Sequence, residues 1–144
     1  MGMLKRVLGG VHIVLAFAVG LNWIATPLYH DGSDYYPVWV FLEYIMTAAV
    51  LIALIVNFLS KRALDSAESD GSINRQYFEV NLAFYASIVL AMWFYWNFFG
   101  SLFPETESAA VGLIHLEMWT LIHPLFVLVS VVTGFRLWRM AAMR

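Results

Sequence analysis

Tyr36–Ser60, YPVWVFLEYIMTAAVLIALIVNFLS, is the stretch that decides the fold: 25 residues carrying one charge, Glu43. A helix needs ~20 apolar residues to cross the ~30 Å hydrocarbon core of a bilayer, and this run exceeds that. Barrel strands would show ~10-residue segments of alternating polarity, and no such alternation is present. A helix satisfies its own backbone polar groups in lipid, so the stretch predicts a transmembrane helix.

Working outward, three more runs of the same kind flank it. Val7–Tyr29 has no charge, Phe78–Phe103 has only Glu79 near its margin, and Ala109–Phe135 has only Glu117. The expected fold class is therefore all-α integral membrane, with four transmembrane helices over 7–29, 36–60, 78–103 and 109–135 in a single domain, 1–144. Short polar connections, His30–Asp34 and Pro104–Ser108, predict two antiparallel hairpins, with Pro37 opening the second helix. The central loop, Lys61–Gln76, is too small for a domain of its own, and Ser72 followed by Arg75 reads as a helix start.

Composition agrees. Of 144 residues, 62% are hydrophobic, 17% aromatic and 12% charged, with a mean hydropathy of +0.75. Soluble domains carry about 25% charged residues, so this chain cannot coat a water-facing surface. Disorder requires the opposite composition. With no cysteine there is no disulfide, thiolate metal site or cysteine nucleophile. A net charge of −2 gives a nucleic-acid partner no electrostatic support.

The basic residues predict orientation. Lys5 and Arg6 precede the first span, Lys61, Arg62 and Arg75 bound the central loop, and Arg136, Arg139 and Arg144 follow the fourth. Both connections on the other side carry acids only: Asp31, Asp34, Glu105 and Glu107. The positive-inside rule then places the N and C termini in the cytoplasm of a bacterial-type inner membrane. Lys5-Arg6 and Ala16-Phe17-Ala18 have the elements of a signal peptide, but the apolar run continues to Tyr29, which favours an uncleaved helix. The halves echo one another, Leu42-Glu43 against Leu116-Glu117 and Asn22-Trp23 against Trp96-Asn97. Hairpins of equal length share such boundary residues without duplication.

Ionisable groups inside a membrane are costly and default to functional hypotheses. Glu43 lies 18 residues from Lys61 and Glu117 lies 19 from Arg136, about 27 and 28 Å along a helix. Glu43, Glu117 and His115 thus sit at comparable depth and form a candidate metal site for Cu, Zn, Mn or Fe, or a shared proton site. His115 and Glu117, two residues apart, point to opposite faces, which works against a common ligand set. His12 shares a face with Gly9, Ala16 and Gly20, a small-residue stripe suited to close helix approach, across which it would hydrogen-bond. His12 and His123 differ in depth, about 10 against 20 Å, which disfavours a haem held by both. His123-Pro124 is the candidate cofactor position: proline frees the carbonyl of Thr120, and a polar pocket there could take a quinone oxygen, a proton or an ion.

Phe94-Tyr95-Trp96-Asn97-Phe98-Phe99, with Trp23, Trp39, Tyr35 and Tyr36, forms an aromatic belt at one interface and Trp138 marks the other. There is no phosphate loop, zinc-protease motif or nucleophile elbow. The reading favoured is an accessory or structural subunit of a larger membrane complex, respiratory, photosynthetic or monooxygenase in type, whose partners are lipids and other integral membrane subunits. The alternatives are a metal- or redox-cofactor-binding enzyme subunit built on Glu43, His115, Glu117 and His123, with metal ion, haem or quinone as cofactor, and a small cation- or proton-coupled transporter.

Overall fold

The computed structural model describes residues 2–31, 36–67, 75–103 and 109–142. Four helices account for nearly all of them: α1 (Gly2–Tyr29), α2 (Pro37–Ala67), α3 (Arg75–Leu102) and α4 (Ala109–Ala142). All four are long and apolar enough to cross a membrane. Positions 1, 32–35, 68–74 (with the Ser72 helix start), 104–108 and 143–144 lie outside the described residues.

The helices are longer than the apolar runs that predict them. α1 begins five residues before Val7, α2 continues seven residues past Ser60, and α4 continues seven past Phe135. Beyond the hydrocarbon, polar side chains support the helix in its own register. Lys61 pairs with Asp65 at 3.0 Å and Arg75 with Glu79 at 2.7 Å, both one turn apart. Pro37 opens α2 as its position predicts, and Val40 N–H donates to the Tyr36 carbonyl at 3.0 Å to close the first turn. At the end of α3, Phe103 N–H donates to the Gly100 carbonyl at 3.1 Å.

Antiparallel packing is strongest between α1 and α4 and between α2 and α3, whereas α1 scarcely meets α2. The expected pairing of α1 with α2 is thus not where the close contact lies. The reason is backbone access. Gly9 of α1 faces Gly134 of α4 so closely that a Cβ on Gly9 would stand 2.8 Å from the Gly134 carbonyl oxygen. Small residues let helices approach to dispersion distance, the main attraction left where lipid removes the hydrophobic drive. Farther along, Gly20 lies against Val127. Between α2 and α3 aromatic rings mesh instead: Phe58 with Phe84 at 6.0 Å and Tyr44 with Phe98 at 5.5 Å between centroids.

The centre of the bundle is apolar. Val19, Met46, Val50, Leu90, Phe94, Ile122 and Phe126 meet there, all essentially without exposure. α4 touches each of the other three helices. Large apolar side chains cover the outside, among them Phe17, Leu28, Phe41, Leu82, Met92 and Leu128. That outward apolar surface is what lipid tails contact, and it makes the chain an integral membrane protein.

Candidate functional site

The two ends of the bundle differ chemically. Gly9 beside Gly134 sets the start of α1 against the end of α4. Arg136 of α4 donates from Nη1 to Asn57 Oδ1 of α2 at 2.7 Å and from Nη2 to the Glu79 carbonyl of α3 at 3.3 Å. The end of α2 and the start of α3 are therefore drawn to the same end, which gathers Lys61, Arg62, Arg75, Arg136 and Arg139. At the opposite end stand Thr26, Trp39, Asn97 and His115.

That opposite end holds the candidate metal residues. Glu43 is half-buried on α2, and its backbone carbonyl accepts from Thr47 Oγ1 at 2.8 Å. Glu117 is exposed on α4, where its carbonyl accepts from Thr120 Oγ1. His115 is buried, its ring edge-on to Trp96 with centroids 4.3 Å apart, and its carbonyl accepts from Asn97 Nδ2 at 2.9 Å. The helical turn sends His115 inward and Glu117 outward, as their two-residue spacing requires. Among the described residues no three His, Asp or Glu side chains come together in a way that could hold a metal ion. Asn22 is engaged locally, its Oδ1 accepting from Tyr29 Oη at 2.8 Å.

His123, the candidate cofactor position, is buried on α4 among aromatic side chains. Its ring stacks with two indoles, Trp39 of α2 at 3.8 Å and Trp119 of its own helix at 5.2 Å, with interplanar angles of 11° and 14°. The residue is 5% exposed and its Nε2 has no hydrogen-bond partner among the described residues. Trp39 is itself anchored, Nε1 donating to Thr26 Oγ1 of α1 at 3.0 Å. Three parallel rings thus tie α2 to α4, and one hydrogen bond carries the tie on to α1. α4 runs through Pro124 without a break in the helix.

His12 makes the contact that its small-residue face predicts: Nδ1 lies 3.5 Å from Ser130 Oγ across the α1–α4 seam. Ser130 and His123 are seven residues apart on α4, about 10 Å, so the two histidines share no common ligand position.

A second polar cluster escapes a search confined to acids and histidines. Asn57, fully buried, donates from Nδ2 to Thr133 Oγ1 at 3.0 Å while its Oδ1 accepts from Arg136. The signal was present in the spacing, since Ser130, Thr133 and Arg136 recur every three residues along one face of α4. The cluster joins α2, α3 and α4 and contains no nucleophile or general base poised for chemistry. No known protein family, curated protein or solved structure matches the chain.

Proposed function

We propose that the chain is an accessory integral-membrane subunit of a larger membrane complex, of respiratory, photosynthetic or monooxygenase type. The observation that carries this reading is the crowding of large exposed aromatics at the end remote from the arginines. Phe41 and Tyr44 of α2 and Trp96 and Phe99 of α3 are each half or more exposed there. Aromatic side chains of this kind are the common anchors of protein interfaces, because they bury much area at little entropic cost. The interior supports the same reading in its paired polar groups: Asn57 with Thr133 and His12 with Ser130 fasten helices to one another. A metal or coupled-transport role would need Glu43, His115 and Glu117 to act together, and the outward direction of Glu117 works against that.

In this reading the chain is one four-helix domain in a bacterial-type inner membrane, with its basic end and both termini in the cytoplasm. Blue native electrophoresis after mild detergent extraction, followed by identification of co-purifying chains, tests the assignment. A stable band well above the monomer with defined partner subunits is expected; migration alone or as a homodimer overturns it. Orientation is tested separately because the chain has no cysteine. Ser66→Cys, at the basic end, is expected to react with an impermeant maleimide only after permeabilisation, and Ser101→Cys in intact cells. The reverse pattern overturns the orientation.

A further inference from the structure

A groove of about 1290 Å³ opens between α3 and α4 at the arginine end, reaching the end of α2. Its origin is a change in side-chain size along α3. Near the far end Phe94 and Asn97 fill the space against Trp119 and His115. Two to three turns from Phe94 toward the basic end the residues are Ala86 and Ala83, which leave it open. Leu125, Leu128 and Val132 of α4 supply the opposite wall. From Leu125 to Arg139 the wall runs fourteen residues, about 21 Å. One leaflet of a ~30 Å hydrocarbon core is about 15 Å deep, so the groove spans that depth and reaches the headgroup level.

Charge is concentrated at the groove's mouth. Arg75, Glu79, Arg136 and Arg139 all line it. Arg75 and Glu79 neutralise each other at 2.7 Å. Arg136 is held in place by Asn57 and the Glu79 carbonyl, and Arg139 is exposed beside it with no ion pair among the described residues. Among the described residues two cations therefore remain over an apolar channel one leaflet deep. We infer that this groove is a binding site for an anionic phospholipid, whose phosphate sits at Arg136 and Arg139 and whose acyl chain lies along Ala83, Ala86 and Val132. Basic pockets between transmembrane helices capture acidic headgroups by this combination of point charge and tail burial. The site is independent of the subunit reading above.

Native mass spectrometry of the full chain in mild detergent, titrated with phosphatidylglycerol or with phosphatidylcholine of the same acyl chains, tests it. Phosphatidylglycerol is expected to be retained in preference, as one defined adduct. Arg139→Gln should weaken it about fivefold, the effect of one cation near a lipid surface, and leave phosphatidylcholine unchanged. Arg6→Gln removes an exposed charge from α1, away from the groove, and should leave both lipids unchanged. Val132→Trp fills the channel at a half-exposed position and should lower retention of both. Far-ultraviolet circular dichroism confirms that the variants remain helical. Equal retention of the two lipids, equal losses in Arg6→Gln and Arg139→Gln, or no loss in Val132→Trp overturns the site.

Discussion

Arg136 on α4 and Asn57 on α2 meet at 2.7 Å across 79 residues of sequence, guanidinium to amide oxygen. The same asparagine donates to Thr133 at 3.0 Å, so one buried amide satisfies a cation and a hydroxyl at once. In water such a contact would compete with hydration. Here both partners lie in a half-dry interior, and the cost is incurred when the pair is broken.

Asn57→Leu removes both bonds and leaves the half-buried guanidinium short of an acceptor. It is expected to destabilise the bundle by about 2 kcal/mol, within the range for hydrogen bonds to charged groups. Thr133→Val loses only the neutral bond and should cost about 0.6 kcal/mol, the average inside membranes. Unfolding in mixed detergent micelles, followed by helical circular dichroism, measures both. Equal losses would show that Arg136 does not depend on Asn57.

Gly134→Ala would set a Cβ 2.7 Å from Ile13 Cγ1 and 2.9 Å from the Gly9 carbonyl oxygen. The second neighbour is backbone and cannot step aside, so α1 must move off α4. A loss of about 1–3 kcal/mol is expected, the usual range for overpacking. Gly10→Ala is the control. Its nearest neighbour, Trp138 Cζ3, stands at an ordinary 3.7 Å, and the same unfolding assay should find it neutral or slightly stabilising.

Cutting His123 to alanine removes the buried ring with which Trp39 and Trp119 both stack. The expected cost is about 3 kcal/mol, as for other large buried side chains reduced to alanine. Near-ultraviolet circular dichroism should change as the two indoles lose their common stacking partner. Trp39→Phe keeps a ring against His123 but loses the bond to Thr26, so about 1 kcal/mol is expected. If His123→Ala proved the milder of the two, the stack would not be what holds α2 to α4.

Glu43→Gln and Glu117→Gln separate the subunit reading from a shared metal or proton site. The two carboxylates lie on different helices and share no hydrogen-bond partner among the described residues. Their effects on stability are expected to add within about 0.5 kcal/mol in the double variant. A coupling larger than that, or one that appears only when zinc or manganese is added, would bring the pair together as a site.

Glu43 and Glu117 also show how far the candidate site was legible. Their depth follows from residue counting along a helix, and the opposed directions of His115 and Glu117 follow from a two-residue step. Whether Glu43 and Glu117 act together depends on how α2 and α4 are rotated about their own axes, which no count supplies. His123 makes the same point. Pro124 announces a potential free carbonyl, but Trp39 lies 84 positions earlier, and nothing local brings its indole onto the imidazole.

Four membrane-crossing helices, their approximate limits and the segregation of the basic residues were determined by the sequence alone. The cost of placing a charge or an unpaired peptide group in hydrocarbon is paid residue by residue, so it can be read residue by residue. The neighbours of each helix were decided only in three dimensions. Helices that are apolar on every side offer lipid and protein much the same chemistry, so no hydrophobic stripe marks the inner face. What chose α4 as the partner of α1 was the close fit of Gly9 against Gly134, and what joined α2 to α4 was the reach of Asn57 and Trp39. Both are matters of shape and register between segments far apart in the chain.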